Sequence, residues 1–208
     1  MVAAPDGRTL ANNVVRLDLL QDGDIPDLYA AIGDARVYEH GFGGGPAGLP
    51  SSVEEMRQSW SGVAETRAAY VIRLATSGPL GEAGAVVGTS SLGDVDLANE
   101  RVHLGWTGYA PSVWGTAVNP AAKLLLLEHA FDDCGFGRVK LQTDLRNERS
   151  QRAILRLGAT REGVLRRHMR RADGTFRDTV VFSILIDEWP QIRARLLARL
   201  GVAGTAIR

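Results

Sequence analysis

The sequence predicts a single mixed α/β domain built on a mixed β-sheet of about seven strands, and three observations favour this fold class. The chain has 208 residues, of which 45% are hydrophobic and 23% charged, so it can enclose one substantial core. Strand and helix patterns follow one another in the order β-α-α-β-β-β-α-β-α-β-β. The middle of this order holds a strand-helix-strand crossover, the connection that neighbouring parallel strands require. We expect the domain to cover residues 14–200, with terminal tails at 1–13 and 201–208.

The N-terminal part combines one strand with two helices. Hydrophobic alternation over 14–20 predicts the first strand. Asp22 or Asp24 is placed to cap a helix that runs through Ile32, because aspartate there can accept hydrogen bonds from the first free amides of a helix. A second helix is predicted after the capping-box pattern at 51–55.

A glycine-rich segment at 41–48 lies between these two helices. Its spacing is only superficially that of a dinucleotide-binding loop, because Pro46 occupies the place of the third glycine and no clear strand precedes it. We therefore predict a mobile loop at the mouth of a site.

The later strands and helices are separated by short segments rich in glycine, proline, aspartate and asparagine. Short connections favour an antiparallel meander for three successive strands, at 69–74, 85–92 and 101–107. The elements that follow are a helix at 121–131, a strand at 138–143, a helix at 148–157, two strands at 161–171 and 176–186, and a helix at 188–200. Asp173-Gly174 between the last two strands is a strong hairpin signal.

The composition excludes several function classes. Lys and Arg together number 24, as do Asp and Glu, so the formal net charge is zero and we expect neither nucleic acid nor a membrane as partner. The single cysteine, Cys134, excludes an internal disulfide framework and fits a reducing cytoplasm. The chain has no signal-peptide pattern and no apolar stretch long enough to cross a bilayer, so we expect a cytoplasmic protein. The histidines show no metal-ligand spacing, and we predict no metal.

The most informative stretch runs from Trp114 to Asn119 and leads into the helix predicted after it. The small residues Gly115 and Ala117 leave backbone amides open to a ligand, and Asn119 is placed to cap the helix before Pro120. Unpaired N–H groups and the positive end of the helix dipole favour an anion such as a phosphate. A plain connector before a helix explains this stretch equally well when it is taken alone.

Several further segments give a more specific pattern when they are taken together. They are Leu104-Gly105-Trp106, the stretch from Trp114 to Lys123, the run from Thr143 to Ser150, Leu157-Gly158-Ala159, and Gly163 to Arg166 followed by Asp173-Gly174 and Arg177-Asp178. With these segments the chain, from Val14 to Trp189, resembles the GNAT superfamily of N-acetyltransferases. The similar branch is the one that includes the ribosomal-protein alanine and serine N-terminal acetyltransferases.

The resemblance implies that acetyl-coenzyme A binds as a cosubstrate in a gap between splayed central strands. Its pyrophosphate is then expected over the loop residues Trp114, Gly115, Thr116, Ala117, Val118 and Asn119. Gly115 and Ala117 match the family's pyrophosphate motif, whereas Ser112 stands where that motif has glutamine or arginine. This departure affects one side-chain contact and not the cradle, whose donors belong to the backbone.

Asn147 and Ser150 match a site-lining pattern of the same branch. The resemblance implies that the asparagine helps to hold the cofactor, and that the serine hydroxyl hydrogen-bonds or protonates the departing sulfur of coenzyme A. The two residues also have a structural interpretation, because Asp144 and Asn147 precede a helix and are good cap residues. We expect a dual role.

His103 is the candidate base. In related proteins a glutamate often precedes the hydrophobic-Gly-aromatic segment, and His103 stands at that position here. Imidazole, with an ordinary pKa of about 6.5, can accept a proton from an amine near neutral pH, directly or through water. A chain of waters without His103 is the alternative base. Strand alternation also allows a purely structural role, with His103 and Thr107 on one sheet face and Leu104 and Trp106 on the other.

Charged residues outside these segments have structural interpretations. Residues 165–171 concentrate basic side chains that either grip an acidic group or form a solvated strand face. A two-residue hairpin turn would place Asp178 opposite Met169, close enough to this concentration for an ion pair. On the helix after the cradle, we expect Lys123 and Glu128 to form the polar face.

The acceptor is expected to be a primary amine, either a protein or peptide N-terminus or a small amine. Acceptor choice depends on the region at 29–60 and on the final hairpin, which sequence patterns do not decode. The alternative is a noncatalytic acyl-coenzyme-A-binding or regulatory module, which Ser112 and His103 suggest. A cysteine-nucleophile acetyltransferase would need Cys134, whose simpler role is that of a small buried residue. An exposed sheet edge or the terminal helix leaves room for a homodimer.

Overall fold

The computed structural model describes residues 1–201, which form one eight-stranded mixed sheet flanked by helices. The strands are β1 (Leu10–Ala11), β2 (Val15–Leu19), β3 (Arg67–Leu74), β4 (Val86–Asp96), β5 (Arg101–Tyr109), β6 (Arg138–Asp144), β7 (Thr160–Arg170) and β8 (Phe176–Leu185). The helices are α1 (Ile25–Ile32), α2 (Ala35–Tyr38), α3 (Val53–Trp60), α4 (Val63–Thr66), α5 (Val118–Glu128), α6 (Glu148–Leu157) and α7 (Trp189–Arg199). A π-helical turn at His129–Asp133 continues α5.

The strand order is β1-β2-β3-β4-β5-β6-β8-β7, and β5 with β6 is the parallel pair in this otherwise antiparallel sheet. Helix α5 forms the crossover between these two strands. The predicted fold class, a mixed sheet with a central crossover, is therefore confirmed. The strand that the sequence analysis did not predict is β1, at Leu10–Ala11. It lies inside the segment expected to be an N-terminal tail and pairs with β2. Of the expected C-terminal tail, Gly201 alone lies within the described residues.

Two hydrophobic clusters hold the helices to the sheet. The larger cluster joins the strands with α5, α6 and α7, and in it the rings of Phe131 and Trp189 stack at 5.4 Å. The smaller cluster joins α1, α2 and α3 around the fully buried Leu28 and Met56. Trp114 packs against both clusters. The loop before α5 is therefore anchored where the two clusters meet.

The start of α5 differs from the prediction. The helix begins at Val118, with Ala117 at the N-cap and no side chain capping it. Asn119 is the second helical residue, so the expected capping by Asn119 is wrong. Pro120 lies in the first turn as predicted, because proline lacks the N–H group that would be unpaired there.

The register of the β7–β8 hairpin also differs from the prediction. Arg177, and not Asp178, lies opposite Met169, because the turn has three residues between the paired Arg171 and Thr175 and not two; a bulge in β7 follows between Leu165 and Met169. Asp178 instead accepts a hydrogen bond from the backbone N–H of Arg167, at 2.7 Å. The carboxylate thus stabilises the bulge.

Candidate active site

The central feature of the site is a gap between the parallel strands β5 and β6. Their pairing ends at His103 opposite Lys140, although β5 continues to Tyr109 and β6 to Asp144. Beyond this last pair, the facing edges of the two strands no longer hydrogen-bond to each other. Such edges can pair with the amide groups of an extended ligand.

A β-bulge in β5 forms part of the wall of this gap. Between Gly105 and Gly108, β5 has one residue more than the facing part of β4. Trp106 has a φ of 50°, which bulky residues rarely adopt. The bulge places the Trp106 ring 4.5 Å from the His103 ring and turns Thr107 towards α5. Strand alternation predicted that Thr107, and not Trp106, shares the sheet face of His103. This prediction is wrong, because an inserted residue shifts the two-residue period by one.

The loop between β5 and α5 presents backbone donors beside the gap. The N–H groups of Gly115, Ala117 and Asn119 have no hydrogen-bond acceptor among residues 1–201. Gly115 has a φ of 78°, and apart from the glycine itself and its two chain neighbours no heavy atom of residues 1–201 lies within 4 Å of the position that a Cβ would take. The N-terminus of α5, at Val118, adds the positive end of the helix dipole. These features fit a bound anion such as a diphosphate.

Trp114 connects this loop to α6. Its indole N–H donates to the Tyr109 carbonyl at 2.9 Å, and the Arg149 guanidinium lies 3.8 Å from the centre of its ring. Arg149 is in the first turn of α6 beside Ser150, whose backbone N–H donates to Asn147 Oδ1 at 2.9 Å. Asn147 therefore caps α6. The Ser150 hydroxyl has no partner within the part of the chain that the structure describes.

His103 lies at the last paired position of β5, where the gap begins. Its side chain is 3% exposed, and Nδ1 lies 3.2 Å from Asp94 Oδ2. Because a carboxylate can only accept, Nδ1 carries the hydrogen and Nε2 carries the lone pair. Nε2 is buried without a partner among residues 1–201, beside Gly105, where a Cβ would come within 2.5 Å of it. Burial lowers the pKa of His103, and the hydrogen bond with Asp94 opposes this shift.

Asp94 is a site residue that the sequence analysis missed. A bulge in β4 lies between Gly93 and Asp96, and Asp94 has a φ of 47°. Its carboxylate reaches His103 and also Lys140, whose Nζ is 3.0 Å from Oδ2. The hydrogen bond from His103, followed by that from Lys140, holds the pKa of Asp94 well below its ordinary range. A bulge has no hydropathy signature, so the sequence gives no clear sign of this contact.

Lys123 is buried, contrary to the expectation that it lies on the polar face of α5. It is 5% exposed, and its Nζ is 2.8 Å from Thr107 Oγ1 and 3.1 Å from Ser90 Oγ. Burial lowers the pKa of Lys123 to about 7. The run of hydrophobic residues around Lys123 in the sequence was the signal that could have predicted its burial. Glu128, by contrast, faces outwards and accepts a hydrogen bond from Arg193 at 2.9 Å.

The glycine-rich loop at 41–48 lies across the end of the gap. The Phe42 ring packs on Gly108 of β5, and Gly41 packs against Asp144 at the end of β6. The Gly44 carbonyl accepts a hydrogen bond at 3.1 Å from a backbone N–H in the β7–β8 turn. The loop thus contacts both strands that border the gap, as well as the final hairpin.

Cys134 lies at the opposite end of the α5 segment from the cradle loop. It is buried, and burial raises the pKa of its thiol to about 11. A thiol with such a pKa is a poor nucleophile near neutral pH. Between residues 1 and 201, no three His, Cys, Asp or Glu side chains form a set that could hold a metal ion. Over the same residues, no helix has the length and apolar character needed to cross a bilayer.

The chain is similar to known acetyltransferases by sequence. Residues 15–160 match the acetyltransferase (GNAT) domain. YdaF of Bacillus subtilis (strain 168), provisionally named a ribosomal N-acetyltransferase, is 29% identical over 106 residues. That alignment covers 51% of this chain and 57% of YdaF, so the chain spans little more than half of this relative.

Solved structures show the same fold. A provisionally named acetyltransferase from T. thermophilus is 36% identical, with a TM-score of 0.81 and coverage of 96% of this chain and 100% of that one. RimJ of Mycobacterium smegmatis, solved in complex with CoA-disulfide, is 22% identical with a TM-score of 0.74, covering 95% and 96% of the two chains. At that identity the likeness to RimJ concerns the fold alone. The domain match over 15–160 establishes that this chain belongs to the GNAT acetyltransferase family.

Proposed function

We propose that this chain, acting as one domain over 14–200 in the cytoplasm, transfers an acetyl group from acetyl-coenzyme A to a primary amine. The amine attacks directly in a ternary complex, without an acetylated enzyme intermediate. One observation supports the proposal above all others: the gap between β5 and β6 has free backbone donors beside it and His103 where it begins.

The residues around the gap fit acetyl-coenzyme A. The free amides of the cradle loop suit a diphosphate, and the open space at Gly115 admits it close to the backbone. The unpaired strand edges suit the amides of a pantetheine arm. The residues that we assign to the cofactor are Trp114, Gly115, Thr116, Ala117, Val118, Asn119, Asn147 and Ser150. When bound, the cofactor supplies an acetyl group activated as a thioester.

His103 is the base that we assign. Its neutral imidazole can take the proton that the attacking amine loses, because Asp94 holds the hydrogen on Nδ1 and leaves the Nε2 lone pair free. Since Nε2 is enclosed by Gly105 and Trp106, the proton reaches it through a water or after a shift of the Trp106 ring. The Ser150 hydroxyl, which has no partner among the described residues, can donate to the departing sulfur.

The acceptor class that we propose includes protein N-termini and small primary amines. YdaF is provisionally named a ribosomal N-acetyltransferase, which favours a protein N-terminus as one acceptor of this chain. The described residues of the gap and of the glycine-rich loop are also compatible with a small amine as acceptor. A homodimer through the edge strand β1 or β7 stays a prediction.

A coenzyme A release assay tests the proposal. Purified protein is mixed with acetyl-coenzyme A and with a panel of N-terminal peptides and small primary amines, and free thiol and acetylated product are measured. We expect thiol release that depends on an acceptor. Binding of acetyl-coenzyme A without acceptor-dependent release would instead favour the noncatalytic module, and failure to bind it would contradict both hypotheses.

A further inference from the structure

A row of residues runs across four strands where the gap begins. The register places Arg67 of β3 opposite Gly93 of β4, Gly93 opposite His103 of β5, and His103 opposite Lys140 of β6. Residues in one such row share a face of the sheet. Because neighbouring strands lie about 4.8 Å apart, the backbones of Arg67 and His103 are about 10 Å apart.

The Trp106 ring fills the space above the glycine in this row. A Cβ on Gly93 would come within 3.0 Å of that ring and 2.7 Å of the Arg67 side chain. The ring centre of Trp106 lies 4.5 Å from the His103 ring centre and 4.5 Å from the Arg67 guanidinium carbon. Trp60 lies 5.8 Å from the same carbon. The unfavourable φ of Trp106 is thus the means by which Arg67 and His103 share one aromatic neighbour.

Arg67 has aromatic neighbours, and within residues 1–201 it has no ion-pair partner in direct contact. Among the described residues its guanidinium forms neither an ion pair nor a hydrogen bond, and Nε is buried without an acceptor. Asp94, on the same face, already accepts hydrogen bonds from His103 and Lys140. Burial lowers the pKa of Arg67, and the charge of nearby Asp94 opposes this shift only in part.

A carboxylate is the group that this arrangement suits. A stacked guanidinium keeps its planar N–H edge free, and that edge matches the two oxygens of a carboxylate. The cations Arg67 and Lys140 of this row have the single carboxylate of Asp94 beside them, so with neutral His103 one positive charge is uncompensated.

We propose that Arg67 binds a carboxylate of the acceptor, so that preferred acceptors are primary amines with a carboxylate within about 10 Å of the reacting nitrogen. This inference rests on the proposed acetyl transfer at the same gap. The carboxylate belongs either to a small amino acid or to an acidic side chain near a peptide N-terminus. In both cases Arg67 determines specificity and takes no part in the chemical step.

The test compares acceptors that differ in charge alone. One arm uses ω-amino carboxylates of increasing length, each paired with its carboxamide; the other uses serine-initiated peptides with glutamate, each paired with its glutamine version. We expect wild-type kcat/KM to favour the carboxylate by about tenfold or more. R67M should lose this preference, so that the two members of each pair have equal kcat/KM.

Two further variants separate the role of Arg67 from a general loss of charge or structure. R67K keeps the charge without the planar fork and should retain part of the preference. R16M removes an exposed arginine from the same sheet and should retain all of it. Preference in the first arm alone identifies a small amino acid as the acceptor, and preference in the second alone identifies an acidic peptide.

Equal kcat/KM for both members of the pairs, or a preference that survives in R67M, would overturn the proposal and leave acetyl transfer intact. If no amine is acetylated, the proposed function fails. Binding of the carboxylates, measured by fluorescence, then still tests whether Arg67 forms a carboxylate site. Trp60 and Trp106 flank its guanidinium, so the carboxylates should change the tryptophan fluorescence of the wild type and not of R67M. No difference between the two proteins would overturn the carboxylate site.

Discussion

At the scale of single residues, the contact between Asp94 and His103 fixes which imidazole nitrogen carries the hydrogen. The two side chains come from different strands and meet only because β4 bulges at Asp94, whose φ is 47°. Non-glycine residues hold such a conformation where the surrounding structure enforces it, and they cluster at functional sites. Asp94 therefore acts through His103, as a residue that positions the base.

Replacing Asp94 with asparagine should lower kcat by about tenfold or more, with little change in the KM for acetyl-coenzyme A. An amide can donate to Nδ1 and so stabilise the wrong tautomer. Because Asp94 raises the pKa of His103 against the effect of burial, its loss should also move the acid limb of the kcat profile to lower pH. Initial rates measured from neutral pH down into the acid range check both effects.

The control for this substitution is D96N, which removes a carboxylate of the same strand that pairs with Arg101. It should leave the pH profile unchanged. H103Q should abolish the acid limb itself. If H103Q and the wild type gave identical profiles, His103 would have no part in the mechanism.

Replacing Lys123 with methionine should make stability less dependent on pH. The pKa of Lys123 falls from an ordinary 10.5 to about 7 on folding, so between these values the unfolded chain holds more protons than the folded one. This group therefore makes the wild type more stable as pH rises, by at most about 1.4 kcal/mol per pH unit. Urea unfolding of both proteins at several pH values measures the difference.

The stability advantage of K123M should be largest at pH 7 and below, and should shrink as pH rises towards 10.5. K123M also leaves the hydroxyls of Ser90 and Thr107 in place, so they can still hydrogen-bond to each other at 2.8 Å. A stability difference that is constant between pH 7 and 10.5 would contradict the lowered pKa of Lys123.

At the scale of elements, the loop before α5 can be tested with a matched pair of glycines. G115L should weaken acetyl-coenzyme A binding by about tenfold, the equivalent of one hydrogen bond. The Cβ of the leucine would meet no heavy atom of residues 1–201 within 4 Å beyond its two chain neighbours, so the lost affinity reports on the ligand. Isothermal titration calorimetry gives the Kd.

Gly174, in the β7–β8 turn, is the control because it has a φ of 82° and equally open surroundings. G174L carries similar backbone strain and should bind acetyl-coenzyme A normally. Unchanged affinity in a folded G115L protein would refute the cradle.

Replacing Ser150 with alanine should depress kcat more than acetyl-coenzyme A affinity. The hydroxyl has no partner among the described residues, and the cap of α6 uses the backbone N–H of Ser150, which alanine retains. Single-turnover rates and Kd values separate the two effects. Equal losses in both would mean that Ser150 binds the cofactor and does not assist the departing sulfur.

The regular elements could be predicted because their signals are local. Helix α6 occupies the predicted span of 148–157, since Asn147 caps its start and Gly158, with a φ of 102°, ends it. The start of α5 was misplaced because no side chain caps it. A helix end that is stabilised by packing alone has no such signal in the sequence.

In the candidate site, only residues that belong to a local sequence pattern could be predicted. The cradle loop and His103 could be proposed as site residues from their sequence context, and their roles stay predictions. Asp94 and the face of Trp106 were missed, because each depends on one inserted residue in a strand. Arg67 was missed for another reason: its role depends on the register of three strands, which no local pattern encodes.

At the scale of the whole molecule, a buried ion pair joins the β7–β8 turn to the end of β6, beside the gap. Arg171 of the β7–β8 turn contacts Asp144 at the end of β6 at 2.7 Å, with side chains 9% and 4% exposed. Arg171 also donates to the Phe176 carbonyl at 2.6 Å. Gly41 packs on Asp144, and Gly44 accepts a hydrogen bond from Ala172. The position of the glycine-rich loop therefore depends on this pair.

R171M should lower the free energy of unfolding by about 3 kcal/mol, because it leaves the Asp144 carboxylate buried without its counter-ion. The D144L/R171M double variant, with two apolar side chains, should recover part of that loss. R152M breaks the exposed pair with Glu148 and should cost less than about 1 kcal/mol. Urea unfolding measures all three.

The same variants should separate the two substrates. Because the glycine-rich loop rests on Asp144 and the cradle loop does not, R171M should raise the acceptor KM severalfold and leave the Kd for acetyl-coenzyme A unchanged. The double variant should keep the raised acceptor KM even where its stability recovers, since an aliphatic side chain cannot reproduce the contacts of the Asp144 carboxylate with the turn. An acceptor KM that recovered in parallel with stability would show that the pair contributes to folding alone, and that the loop does not help to shape the acceptor site.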